Sequence, residues 1–357
     1  MDKYWIGLSS IEELSSSFIL RLYNHFGNIE QAFYANDLSA IEGLSVAKAE
    51  KFMRLRDKVD PDKAFEAVQS RGINYLTFDD DRYPQMLRNI YDAPAVLYYK
   101  GDLFDCNLDR TLAVVGSRRA TSYAKDALSK IISELIDTDI CVVSGLASGI
   151  DTVAHTSAIN NNLKTIGVIA SGFDFTYPTA NKDLYRKIEE GCGAVVSEYY
   201  PTFQPLQFRF PQRNRIVSGL SYGTLVAEAS LKSGALITAN LTLEQGRELM
   251  CIPGLITNPN TQGIYKLLKN GATLVTCADD ILSALGWEVK LEQKTLFDLD
   301  LSNDEKLIYE ALEIEDKCFD ELQAFTRLSV DNLLMYLTTM ELKGIIKQVD
   351  GDRYRKI

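Results

Sequence analysis

The sequence predicts an α/β fold built on a doubly wound, mostly parallel sheet, and residues 112–155 carry the observations that predict it. Leu112-Ala113-Val114-Val115 and Cys141-Val142-Val143-Ser144 are short apolar runs without alternation, the pattern of strands buried on both faces of a parallel sheet. Each run enters a glycine turn, Gly116-Ser117-Arg118-Arg119 after the first and Gly145-Leu146-Ala147-Ser148-Gly149 after the second. Between them Leu128, Ile131, Ile132 and Leu135 recur at the spacing of one helical face, so the stretch reads strand, helix, strand. Doubly wound sheets take ligands just beyond the carboxyl ends of their strands, where both turns fall. Glycine there lets the backbone approach a ligand, and a helix N-terminus attracts an anion. Arg118 and Arg119 add positive charge at the same edge.

Composition sets outer bounds. A chain of 357 residues is long for one domain, so two or three are expected. No apolar run reaches the ~18–20 residues that span a membrane. The opening MDKYWIGLSS lacks a basic segment followed by an apolar one, so neither membrane insertion nor secretion is expected, and the cytoplasm is the expected compartment. Six scattered cysteines, no CxxC and two histidines argue against zinc and for free thiols. No metal and no cofactor are therefore expected. His155, at helical spacing from Asp151, is expected to be packed, because no nucleophile pairs with it by sequence. The net charge of −11 argues against a general polyanion binder. Against that total, Arg209-Phe210-Pro211-Gln212-Arg213-Asn214-Arg215 holds three arginines and no acid, a local cationic cluster.

Taken in order, residues 11–56 read as short helices, with Phe18, Leu20, Leu22, Tyr23 and Phe26 as an apolar stripe. Ile41-Glu42-Gly43-Leu44-Ser45-Val46-Ala47-Lys48-Ala49 resembles the turn of a helix–hairpin–helix in SAM-like domains, and a structural or docking role is favoured because Glu42 and Glu50 offset Lys48 and Lys51. Asp60-Pro61 starts a helix that Gly72 ends, and strands follow over 73–78 and 93–101. Beyond the central unit, strands are expected at 165–172, 193–198, 224–229, 250–254 and 272–275, with helices between them. Tyr199 to Pro211 reads as an irregular aromatic loop, with a helix from Arg213. From Ser302 three helical stretches and a hairpin at Asp350-Gly351 read as a winged helix–turn–helix. Its presumed recognition helix, 329–342, contains no Lys or Arg, which suits a protein partner better than duplex DNA. The expected divisions are a helical domain over 1–72, the sheet domain over 73–286, a linker over 287–301 and the winged helix over 302–357.

Several motifs together resemble the DNA-processing protein A (DprA, or Smf) family: Val115-Gly116-Ser117-Arg118 with Tyr123, Ser144 to Asp151 with Ala154-His155, Tyr177-Pro178, Ser197-Glu198, Phe210 to Ile216, Ser233 to Thr238 and Pro253-Gly254. The resemblance covers nearly the whole chain. It implies an extended Rossmann-like domain that binds single-stranded DNA, acts as a homodimer and loads the recombinase RecA during natural transformation, with a SAM-like domain in front and a winged helix behind. It also implies a positive pocket formed by Gly116, Ser117, Arg118, Arg209, Phe210, Arg213 and Asn214. Arg119, Gly145 and Gly149 join that set from the two turns, and Phe208 joins as a second stacking ring. Arginine forks suit phosphate, and aromatic rings suit unpaired bases. Arg215 stands between two roles, DNA contact or bracing the helix with Asn214 by pairing with Glu198 or Glu228. One departure is Ser148, which stands where the family motif usually has a basic residue; that removes a phosphate contact for which Arg119 is the nearest compensation.

A nonenzymatic DNA binder is thus expected. The alternative is a nucleotide-processing hydrolase related to lysine-decarboxylase-like phosphoribohydrolases. Residues 229–238 lack the double glycine of such enzymes, and Glu228 is left without a role. A duplex-DNA regulator acting through the winged helix is the third possibility, and the bare recognition helix speaks against it.

Overall fold

The computed structural model describes residues 1–41, 43–287, 301–312, 316–342, 345–349 and 353–356, and it divides into two compact units, Met1–Glu288 and Val289–Ile357. The first opens with five helices, α1 (Asp2–Ser9), α2 (Ser16–Phe26), α3 (Ile29–Tyr34), α4 (Val46–Arg56) and α5 (Pro61–Gln69). Ser15, Asn28, Ser45 and Asp60 each accept a hydrogen bond from a first-turn N–H, which satisfies donors that a helix start leaves open. α1 lies ahead of the helices expected over 11–56. Its Trp5, Ile6 and Leu8 side chains are fully buried. Gly43 lies at φ 68° in the connection that runs over residues 35–45, and Glu42 of the expected hairpin is outside the described residues.

There follow β1 (Asn74–Thr77), α6 (Gln85–Arg88), β2 (Val96–Gly101), β3 (Thr111–Gly116), α7 (Ser122–Ser133), β4 (Cys141–Ser144), α8 (Ile150–Asn160), β5 (Thr165–Val168), α9 (Lys182–Lys187), β6 (Gly193–Ser197), α10 (Arg209–Gly219), β7 (Gly223–Glu228), α11 (Ala235–Glu244), β8 (Glu248–Cys251), α12 (Gln262–Lys269), β9 (Thr273–Leu274) and α13 (Ala278–Ala284). The strands form one sheet in the order β1-β2-β6-β5-β4-β3-β7-β8-β9. From β6 across to β9 every pairing is parallel, while β2 pairs antiparallel with β6 and β1 with β2. This is a Rossmann-like sheet, and its order reverses at β3. One neighbour, β4, leads toward one edge and the other, β7, toward the opposite edge, so the crevice of the fold opens there.

Both faces of the sheet are covered. Leu112 and Val114 pack with α7, α8 and α13, whereas Ala113 and Val115 pack with α10, α11 and α12. The second of these cores also takes in Trp5, Leu22 and Phe52 of the opening helices, so residue 72 marks no break in packing. Several segments differ from expectation, among them β8, which runs Glu248–Cys251 where 250–254 was expected, and β2, which starts at Val96 and not 93. β5 stops at Val168, not 172, and α10 begins at Arg209, not Arg213. Pro211 disguised that start. It is the third helical residue, where the N–H has no intrahelical partner to lose.

The second unit contains α14 (Asn303–Ala311), β10 (Lys317–Cys318), α15 (Phe319–Thr326), α16 (Val330–Leu342), β11 (Ile346–Val349) and β12 (Arg353–Lys356). Its strands lie antiparallel in the order β10-β12-β11. Ile308, Leu322, Leu333, Leu337, Met340 and Ile346 form its own core. Most of the expected linker 287–301, with Gly344 and Asp350-Gly351-Asp352, lies outside the described residues.

Candidate functional site

At the reversal of strand order the ends of β3, β4 and β7 open into a cavity of about 910 Å³. The first glycine turn forms its edge. Ser117 N donates to Glu228 O at 2.8 Å, and Arg119 N donates to Ser117 Oγ at 3.1 Å. Glu228 Oε2 accepts from both Thr121 N and Thr121 Oγ1 at 2.9 Å, and Thr121 in turn caps α7. The glutamate therefore ties the end of β7 to the start of α7, which gives it a structural role that the sequence did not show. Between these anchors Arg118 and Arg119 remain exposed, and neither forms an ion pair among the described residues.

The second turn packs beneath the first. Gly149 takes φ +86°, and a Cβ there would stand 2.3 Å from Ser117 O, so only glycine allows both the conformation and the approach. Leu146 adopts φ 55°, a left-handed conformation costing an L-residue roughly 1–2 kcal/mol. Its side chain is fully buried, in space left free because residue 167 is glycine. Asn181 Nδ2 fixes this turn by donating to Leu146 O at 2.9 Å.

Arg213 reaches into the floor from α10. It is 4% exposed, its Nη1 donates to Gly145 O at 2.6 Å and to Val168 O, and its Nε donates to Asn214 Oδ1 at 3.3 Å. Nη2 has no hydrogen-bond partner among the described residues. A Cβ on Gly145 would lie 2.6 Å from that Nη2 and 2.8 Å from Asp151 Oδ2, so the glycine makes room for the guanidinium and the carboxylate together. Burial pushes the Asp151 carboxyl up to about 6 against the pull of Arg213. His155, on α8 with Asp151, is pushed down to about 3 by burial and by the Arg213 charge. Its Nδ1 is 2.7 Å from Thr165 Oγ1, which itself donates to Val142 O. The histidine is therefore the donor through Nδ1–H, and it is packed as expected.

Aromatic rings form the opposite rim. The Phe210 ring meets Tyr177 edge-on at 5.3 Å, and the Arg118 guanidinium lies 5.5 Å from the Phe210 centroid. Asn214 also lines the cavity. The structure thus gathers Gly116, Ser117, Arg118, Arg119, Gly145, Phe210, Arg213 and Asn214 around one space, with Gly149 supporting it from below.

Three expected members stand elsewhere. Phe208, Arg209 and Arg215 line a separate cavity of about 260 Å³ facing the opening helices. Arg209 is 2% exposed and bonded to Glu12. Arg215 is buried, with Nη2 on Glu198 Oε2 at 2.6 Å and Nε on Asp92 Oδ2 at 2.8 Å. The placement of both arginines on the positive cavity is thus corrected: their charges are committed to acids on the other side of α10. Phe208 is exposed on that same side. Among the described residues, no group of three or more His, Cys, Asp or Glu side chains is arranged to hold a metal ion.

Residues 74–286 match the DNA recombination-mediator protein A family, and DprA of Streptococcus pneumoniae is 40% identical over 76% of this chain and 93% of its own length. The chain belongs to the DNA recombination-mediator protein A family. Protein Smf of Synechocystis is 31% identical over 99% of this chain and 98% of its own. The X-ray structure of DNA processing protein A from S. pneumoniae superposes with a TM-score of 0.69 at 36% identity, covering 79% of this chain and 98% of that one. DNA processing protein A from Helicobacter pylori, solved for its single-stranded DNA binding mode, superposes with a TM-score of 0.54 at 29% identity over 60% and 95% of the two chains.

Within this family member, Asp151 and Tyr177 are among the cavity-lining residues to which the sequence assigned no site role. Tyr177 sat in a recognised motif, yet its pairing with Phe210 spans a loop and a helix start that were not foreseen.

Proposed function

We propose that the chain is a nonenzymatic single-stranded DNA-binding protein that protects incoming DNA and loads RecA recombinase in transformation and recombination, working as a cytoplasmic homodimer. One observation carries the DNA-binding part. An open cavity at the sheet's reversal point combines two exposed, unpaired arginines, a third with a free Nη2, and an aromatic rim. Arginine forks engage successive phosphates, and Phe210 offers a face to an unpaired base without reading its identity. A duplex keeps its bases stacked inside and gains less from such a rim. Family membership supports the DNA-processing role, and the H. pylori relative's single-strand binding supports the choice of strand. The dimer and RecA contact rest on the family resemblance.

The hydrolase reading finds little to work with, since Asp151 is the sole acid lining the cavity among the described residues and Glu228 is engaged by Thr121. We read the second unit as a winged helix serving a protein partner. Its α16 carries no cation and exposes Val330, Leu334 and Met335.

Fluorescence anisotropy with labelled poly-dT and a matched duplex tests the reading. Wild type should prefer the single strand, and Arg118→Ala should lower the salt slope by about 0.7 for one lost phosphate. Equal affinity for both nucleic acids, or a slope unchanged in Arg118→Ala, would remove the cavity from the DNA path.

A further inference from the structure

α10 presents two different surfaces. Phe210, Arg213, Asn214 and Val217 line the large cavity, while Arg209, Gln212 and Arg215 face the opening helices. The second surface is clasped. Arg209 Nη2 donates to Glu12 Oε1 at 2.5 Å and Nη1 to Gln204 O at 2.5 Å. The same guanidinium lies 4.8 Å from the Tyr199 ring centroid and 5.1 Å from that of Phe203. Alongside, Ser16 Oγ donates at 3.3 Å to the Glu198 oxygen that also receives Arg215. Glu12 lies between α1 and α2 and Ser16 begins α2, so both precede the family-matched residues 74–286.

A second observation bears on the same place. The first turn of α10 has neither a side-chain cap nor an acidic residue; of its N–H groups, that of Arg209 donates to Leu206 O at 3.0 Å. Phe210 lies in that uncapped turn and Arg213 one turn further on. A buried guanidinium is costly to move because displacement strips its charge of partners, and its planar fork fixes direction as well as position. The clasp therefore fixes where this turn sits without accepting from its N–H groups, since a guanidinium only donates.

We propose that Glu12 and Arg209 are positioning residues for the DNA cavity. Through them the N-terminal helices hold the first turn of α10 where Phe210 and Arg213 meet the strand. The proposal rests on the single-strand reading of that cavity. It gives the opening helices a task in DNA binding that requires no contact with DNA.

The test uses the full chain with Glu12→Ala, Glu12→Gln and Arg209→Lys, reading hydrogen–deuterium exchange over residues 205–217 and poly-dT affinity. Glu12→Ala and Arg209→Lys should speed exchange there and weaken binding roughly ten-fold, within the range of one lost base stack. Glu12→Gln keeps an acceptor oxygen and should restore most of the affinity. The loss should vanish in a Phe210→Ala, Arg213→Ala background, because the clasp acts through those two side chains, and add in full to that of Arg119→Ala. Wild-type affinity in Glu12→Ala, unchanged exchange, or full additivity with Phe210→Ala and Arg213→Ala would overturn the clasp while leaving the cavity reading intact. A wild-type chain that fails to bind poly-dT would overturn both.

Discussion

Replacing Asp151 with asparagine should stabilise the larger unit at neutral pH. The carboxyl is pushed from its ordinary 3.8 to about 6, chiefly by burial. A carboxyl with a raised folded pKa holds its proton in the folded chain at pH values where the unfolded chain has released it. Its contribution is therefore best below pH 3.8 and is lost as pH rises to about 6. That gap corresponds to about 3 kcal/mol. Asparagine stays neutral, so Asp151→Asn should exceed wild type by up to about 3 kcal/mol at pH 7, with the advantage shrinking toward zero near pH 4.

The comparison must be a difference between the two proteins, because His155 works against Asp151 in wild type. Its folded pKa is depressed to about 3 from 6.5, so its contribution is present above pH 6.5 and is lost as pH falls. Guanidinium denaturation followed by tryptophan fluorescence is suited to the measurement. The chain's two tryptophans, Trp5 and Trp287, both belong to Met1–Glu288, so the signal reports that unit. A difference that stays constant from pH 4 to 8 would refute the titration argument. A less stable Asp151→Asn at pH 7 would mean that attraction to Arg213 outweighs the burial penalty.

Other substitutions separate binding from bracing. Phe210→Ala should cost ~1–3 kcal/mol of single-strand affinity, equally for different base sequences and with the salt slope unchanged, as anisotropy against homopolymers would register. Arg215→Ala leaves Glu198 buried without its cation, a change of ~3–5 kcal/mol in stability. The same fluorescence denaturation should show that loss while the salt slope of DNA binding stays at the wild-type value; a shallower slope would return Arg215 to the DNA path.

The strands around β3 and their two glycine turns were legible because the signals are local. Apolar runs without alternation identify doubly buried strands, and each ends where glycine is needed for close approach. The conformation of Leu146 was not legible, since nothing in Gly-Leu-Ala calls for a left-handed leucine. It depends on the absence of a side chain at Gly167, on the neighbouring strand.

The arginine cluster shows where local reading stops. Arg213 and Arg215 lie two positions apart, about 200° around a helix, so spacing alone says that both cannot face one cavity squarely. It does not say which one does. Arg209 and Arg213 are four apart, only about 40° around the helix, yet they part company because Glu12, 197 positions away in sequence, captures the first. Arg215 is taken likewise by Asp92 and Glu198. Of the three charges that made residues 209–215 conspicuous in an acidic chain, two are committed to acids brought in by the fold. On the proposed single-strand reading, the charge left for a ligand in the cavity comes from Arg213 with Arg118 and Arg119, three residues drawn from two segments. A cationic run in sequence thus measures how many charges a segment carries; the acids that fold against it decide how many remain for a ligand.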